Sequence, residues 1–116
     1  MMEDIVKRPW GYYQVIQKCE NYQIKKIVVF PHSQLSYQSH KYRNEHWFFI
    51  KGDGVVILDG KESKVKDGCS VDIKSGIKHR IKNISNDEVC FLEIQTGTYF
   101  GEDDIIRYED DYGRIG

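Results

Sequence analysis

The chain has 116 residues, 40% hydrophobic, 30% charged and 13% aromatic, with a formal net charge of -1. That length suits one domain spanning 1–116 with one real core, and the composition excludes an intrinsically disordered chain. So small a net charge excludes bulk attraction for nucleic acid or an anionic membrane, and the absence of an apolar leader or spanning run leads us to expect a cytoplasmic protein.

Taken in chain order, short β-type runs fall at 12–16, 22–30, 34–39, 46–51, 54–58, 61–66, 70–73, 79–83 and 89–96. Turn residues separate them, among them Pro31-His32, Gly52-Asp53-Gly54, Asp67-Gly68 and Ser75-Gly76. Asp59-Gly60 between two runs predicts a hairpin, because a type I′ turn needs positive φ at both central residues. Such regular spacing predicts an all-β antiparallel sandwich or barrel. A helix is expected only within 102–111, where acidic residues could favour a first turn. Charge divides unevenly: residues 1–101 carry 15 Lys/Arg against 12 Asp/Glu, and residues 102–116 carry 2 against 6. Three widely spaced cysteines, Cys19, Cys69 and Cys90, with no CxxC pair, predict reduced and mostly buried thiols.

The histidines are not scattered. Gln38 and His40 are two apart, so on a strand they project from one face; Glu45 opens the next strand, and His79 lies on a later one. If that face points into a barrel, two imidazoles, a carboxylate and an amide oxygen could hold a divalent metal. The spacing alone leaves a hydrogen-bonded His–Glu pair equally open. Trp10, Trp47, Phe49 and Phe91 read as core rather than as sugar-stacking platforms. Glu93 and Gln95 share one face of the last long run, bordering either the site or solvent.

Two gapped motifs go further. His32, Gln38, His40, Glu45 and Gly52 keep every gap of one, and Gly68, Lys74, Gly76, His79 and Asn83 keep every gap of the other. Together they resemble the cupin pattern, with His32 for Gly, Gln38 for the first metal His and Lys74 for Pro. Further segments are Arg8-Pro9-Trp10-Gly11, Leu35-Ser36-x-Gln38-x-His40, Arg43-x-Glu45-His46-Trp47, Gly76-x-x-His79-Arg80 and 101–107. These look like the type II mannose-6-phosphate isomerase cupin, over 8–114. That domain is commonly the C-terminal part of bifunctional guanylyltransferase/isomerase proteins.

The resemblance implies a jelly-roll β-barrel (double-stranded β-helix), a divalent metal and often a homodimer. It implies a metal held by Gln38, His40, Glu45 and His79, with zinc expected and manganese, cobalt or iron as alternatives. The implied reaction interconverts mannose 6-phosphate and fructose 6-phosphate through a cis-enediol. No guanylyltransferase activity is expected, because the Gly-rich nucleotide loop is absent from these residues. Candidates for proton transfer are Arg80, Lys25 and Lys74, and for substrate contact Arg43, Lys25 and Arg80. Arg80 follows His79 and should point to the opposite strand face unless a bulge re-aims it. Alternatives are a cupin that binds metal and sugar phosphate without catalysis, as partner to a separate guanylyltransferase, or a cupin enzyme on another substrate. Tyr42 and Lys74, both departures from the family pattern, motivate the first of these.

Overall fold

The computed structural model describes residues 5–111. Its strands are β1 (Ile5–Arg8), β2 (Gly11–Lys18), β3 (Tyr22–Val29), β4 (Tyr37–His40), β5 (Arg43–Lys51), β6 (Gly54–Leu58), β7 (Lys61–Val65), β8 (Ser70–Ile73), β9 (His79–Asn83), β10 (Val89–Gly97) and β11 (Ile105–Glu109). One sheet runs β1-β2-β3-β10-β5-β8 and the other β11-β4-β9-β6-β7. They close on a core that includes Trp10, Ile27, Trp47, Phe49, Ile81 and Phe91. This is the all-β jelly roll that the resemblance implies, and the four named aromatics are core as expected. Among the described residues no helix is long and apolar enough to cross a membrane.

The alternation along two neighbouring strands sets where chemistry can occur. On β5, Arg43, Glu45, Trp47 and Phe49 are buried, while Phe48 and Ile50 face outward and are exposed. On β10, Phe91, Glu93 and Gln95 are buried. Their pairing sets Phe91 beside Phe49, Glu93 beside Trp47 and Gln95 beside Glu45. The barrel interior therefore grades from an aromatic end to a polar end along these two strands.

All nine expected runs contain strand, with both ends as expected at 54–58, 70–73 and 79–83 and altered ends elsewhere. The run at 34–39 begins pairing as β4 only at Tyr37, Gln34 making an isolated bridge to Lys82. β5 starts three residues early, at Arg43, because Arg43 and Asn44 pair with Gly97 and Thr96 of β10. Two strands were not expected, β1 and β11, both at sheet edges with one neighbour each. The expected helix is corrected to a 3₁₀ turn at Glu102–Asp104 followed by β11. Asp104 accepts backbone N–H bonds from Lys41 and Tyr42 (3.0 and 2.9 Å), so this acidic run fastens a neighbouring turn instead of starting a helix. The Ile-Ile-Arg-Tyr sequence after it then pairs along β4. The cysteines are free but half-buried, not mostly buried. Residues 112–114 of the matched segment lie outside the described residues.

Two turns carry the fold's local constraints. Asp59 and Gly60 both have positive φ (46° and 84°), as the hairpin requires. At Gly97 (φ 148°) a Cβ would lie 2.4 Å from the Tyr42 carbonyl oxygen, so only glycine lets β10 approach the β4–β5 turn this closely. That turn holds His40 and Glu45 together.

Candidate functional site

His40 ends β4, Glu45 lies near the start of β5 and His79 opens β9, so three chain segments meet at the polar end of the barrel. All three side chains are buried, and a ligand atom from each lies within 4.8 Å of the others. His40 Nδ1 is 3.4 Å from Glu45 Oε2 and His79 Nε2 is 3.7 Å from Glu45 Oε1. Gln38 pairs with His79 across β4 and β9. Its Nε2 donates to Ser36 Oγ (3.0 Å), which leaves the amide oxygen as the available ligand atom.

The surrounding groups fix the protonation of this cluster. His79 Nδ1 bonds to the Ile77 carbonyl (2.9 Å); a carbonyl only accepts, so Nδ1 donates there and the ring turns Nε2 toward Glu45. Burial lowers the His40 pKa to about 3 against the opposing pull of Glu45, so the ring is neutral at pH 7. Burial would raise Glu45, but the facing imidazoles of His79 and His40 and the Arg43 guanidinium outweigh it and hold Glu45 at about 2. Arg43 Nε donates to Glu45 Oε2 (2.9 Å), Arg43 Nη2 bonds His40 Nε2 (2.8 Å) and Trp47 Nε1 donates to Glu45 Oε1 (3.0 Å). Two imidazoles and one carboxylate are the donor set of a divalent transition-metal site. Bonds of about 2.0–2.2 Å need ligand atoms roughly 3–4 Å apart, a modest contraction from the observed spacing.

The cluster lines a cavity of about 70 Å³ that opens to solvent. Of the sequence candidates, Gln38, His40, Arg43, Glu45, His79 and Lys25 line it; Arg80 and Lys74 do not. Arg80 points to the other strand face, as alternation requires. There its Nε donates to the Leu35 carbonyl (2.7 Å) and its Nη2 to the Glu109 carbonyl (3.2 Å), tying β9 to the chain on either side of β4. Lys74 borders a separate groove with Asn44, His46 and Asp72, where His46 pairs with Asp72 at 2.6 Å. Neither residue lines the cavity, although the groove that Lys74 borders shares Glu45 with it. Tyr42 is also outside the lining, half exposed and edge-on to Tyr99.

Four charged lining residues went unassigned in the sequence: Glu93, Glu102, Arg8 and Arg107. Glu93 sits between Lys25 and Trp47 across β10, and accepts a bond from Gln95, which in turn accepts one from Gln23 (2.9 Å). Burial and the nearby Glu45 charge raise its pKa to about 8, so the two carboxyl groups of one cavity are driven to opposite charge states. Alternation from the core residue Phe91 was the available signal that Glu93 faces inward. Glu102 accepts a bond from the Tyr13 hydroxyl (3.4 Å), and Arg8 and Arg107 lie on the two strands that were not expected, β1 and β11.

The family described as "Mannose-6-phosphate isomerase C-terminal" matches residues 1–110. The chain belongs to this family. Relatives include the xanthan biosynthesis protein XanB of Xanthomonas campestris (40% identical over 109 residues, 94% of this chain) and the alginate biosynthesis protein AlgA of Pseudomonas aeruginosa (39% over 109 residues, 94%). A mannose-1-phosphate guanylyltransferase of Escherichia coli is 37% identical over 110 residues, 95% of this chain. The chain spans 23% of the length of each of these relatives. Among solved structures, oxalate decarboxylase from Bacillus subtilis superposes with a TM-score of 0.80 at 19% identity, covering 91% of this chain and 30% of that one. KdgF from Halomonas gives 0.76 at 11% identity, covering 87% and 90%. At such identities these likenesses establish the fold alone, and the fold of the family member is the cupin double-stranded β-helix.

Proposed function

We propose that this domain is a metal-dependent aldose–ketose isomerase that interconverts mannose 6-phosphate and fructose 6-phosphate, feeding polysaccharide precursors. The observation that carries the reading is one cavity in which His40, Glu45 and His79 converge while the cations Lys25, Arg8 and Arg107 line the same wall space. A sugar phosphate needs both: a cation beside its carbonyl end and positive charge beside its phosphate. Family membership supports the substrate class.

In this reading Gln38, His40, Glu45 and His79 hold a divalent ion, zinc by preference, with manganese, cobalt or iron as alternatives. When bound, it supplies Lewis-acid polarisation of the oxygens on the two carbons that exchange a proton. The chain's own residues do the rest. Arg43 holds the Glu45 carboxylate in place and contributes a cation beside the oxygens of the substrate. Proton transfer through a cis-enediol needs a group beside C1 and C2 that takes a proton and returns it. Lys25 and Glu93 face each other across β3 and β10, both buried and both lining the cavity, and are the side chains in position for that task. The buried aromatic end of the barrel, Trp47 above all, closes the cavity floor against water.

The proposal includes a cytoplasmic homodimer of the single domain 1–116, with a guanylyltransferase as functional partner. The exposed Phe48 and Ile50 on the outer face of the six-stranded sheet offer the dimer an apolar surface. A coupled assay of mannose 6-phosphate conversion, with metal content measured on the same sample, tests the reading. Metal-loaded protein turns over; protein carrying stoichiometric metal yet inert on mannose 6-phosphate would contradict it.

A further inference from the structure

Among the described residues, one buried side-chain nitrogen or oxygen has no hydrogen-bond partner: Nε of Arg107. Arg107 is half-buried, and the two fully buried arginines differ sharply from it. Arg43 bonds Glu45, His40 and the Phe100 carbonyl, and Arg80 bonds the Leu35 and Glu109 carbonyls. The Arg107 guanidinium makes no hydrogen bond or ion pair among the described residues, yet it lines the cavity. Desolvating a permanent cation without a counter-ion is costly, so such a group is retained where something else supplies the charge.

Strand register says what could reach it. Arg107 on β11 pairs with Gln38 on β4, and Gln38 pairs with His79 on β9, so the three share one inward-facing row. Neighbouring strands are about 4.8 Å apart, which sets the Arg107 backbone roughly 10 Å from that of His79. That gap suits a six-carbon chain with its reacting end at the His79 cluster and an anionic group at the far end. Two more cations line the cavity. Lys25, itself only 8% exposed, has its Nζ 4.3 Å from the Tyr13 ring centre and no hydrogen bond or ion pair among the described residues. Arg8 stacks on the other reach of the same ring at 5.4 Å and bonds only the Lys7 carbonyl.

We infer that Arg107 anchors the phosphoryl group of the ligand, with Arg8 as its second contact, so that the last strand of the domain is what selects phosphorylated over neutral sugars. A planar guanidinium fork meets two phosphate oxygens at once, which a lysine cannot reproduce. The inference rests on the isomerase reading only for the sugar; the anion site itself can be examined with inorganic phosphate.

The test is calorimetric titration of the metal-loaded chain with inorganic phosphate and with mannose 6-phosphate, for wild type, Arg107→Gln and Arg107→Lys. Circular dichroism melting confirms that each variant is folded. Arg107→Gln should weaken both ligands by about ten- to a hundredfold, the scale of a lost charged hydrogen bond, and Arg107→Lys should recover only part of the loss. Metal content should stay at the wild-type value. If either ligand binds folded Arg107→Gln as tightly as wild type, or wild type takes up no phosphate, the inference is overturned. Phosphate binding that depends on Arg107 in a protein without turnover would sustain this site and remove the isomerase reading. Turnover with an unchanged KM in Arg107→Gln would do the reverse.

Discussion

The two cationic arginines of the barrel wall, Arg43 and Arg107, are a natural pair to set side by side. Arg43 lies at the start of a strand shared by both neighbours of the polar end, and every donor of its fork that the structure describes has a partner. Arg107 lies on an edge strand with an orphaned Nε. The first belongs to a self-satisfied network that fixes the charge of Glu45; the second is a charge waiting for a ligand. The difference teaches that partner count and burial together, rather than residue type, separate the scaffold of this cavity from its recognition surface.

The largest effects should come from breaking the satisfied side. Replacing His40 or His79 by alanine should remove metal, measured by elemental analysis, to under about one-tenth of the wild-type content, and turnover with it, since each is one of a small ligand set. Glu45→Ala should also cost the fold, because it strands the buried Arg43 without its anion. Loss of one partner of such a pair costs about 3–5 kcal/mol, readable as a shift in urea midpoint. Retention of full stability in Glu45→Ala would show that Arg43 is not dependent on it.

Arg80 sharpens the contrast from the other direction. Arg80→Met should destabilise the domain by about 1–3 kcal/mol, through the orphaned Leu35 and Glu109 carbonyls, while leaving phosphate affinity unchanged. A selective loss of phosphate binding in a stable Arg80→Met protein would put Arg80 back in the site.

The smallest effect is the pH dependence of the metal-free protein. Burial raises Glu93 to about 8 from an ordinary 4.5, so the folded state holds a proton that the unfolded chain has released. Its contribution is therefore full below pH 4.5 and is lost as pH rises towards 8. His40, lowered to about 3 from 6.5, acts with the opposite sign: its contribution is full above pH 6.5 and is lost as pH falls towards 3. Between these the two slopes oppose each other, so the melting temperature should be flat between about pH 4.5 and 6.5 and fall on both sides. Glu93→Gln should abolish the alkaline fall alone, and persistence of that fall in the variant would assign it to another group.

How far the sequence carried depended on whether a residue sat in a local pattern or in a long-range one. Alternation and turn chemistry located nine of the runs, the Asp59-Gly60 hairpin and the aromatic core, because those signals lie within a few residues of each other. The convergence of His40, Glu45 and His79 was legible through gap lengths that a barrel turns into proximity. Arg80 was legible in part: alternation alone placed it opposite His79, and that geometry prevails over its neighbourhood in the motif. Two of the four edge strands, β1 and β11, were not legible, whereas the edges β7 and β8 were. The acidic run before β11 looks like a helix start until Asp104 is seen capping the Lys41 and Tyr42 amides. Arg8 and Arg107 were overlooked with the strands that carry them. Glu93 was seen but not assigned, although alternation from Phe91, already read as core, gave that strand's parity its direction.

The central claim is that the His40–Glu45–His79 cluster and the cations beside it act on one substrate. The most direct measurement is the initial rate of mannose 6-phosphate isomerisation as divalent metal is titrated into chelator-treated protein. The account predicts no turnover at the start and a rate that rises until about one ion is bound per chain. Equal turnover before and after metal removal would contradict it, as would a fully loaded protein with no turnover.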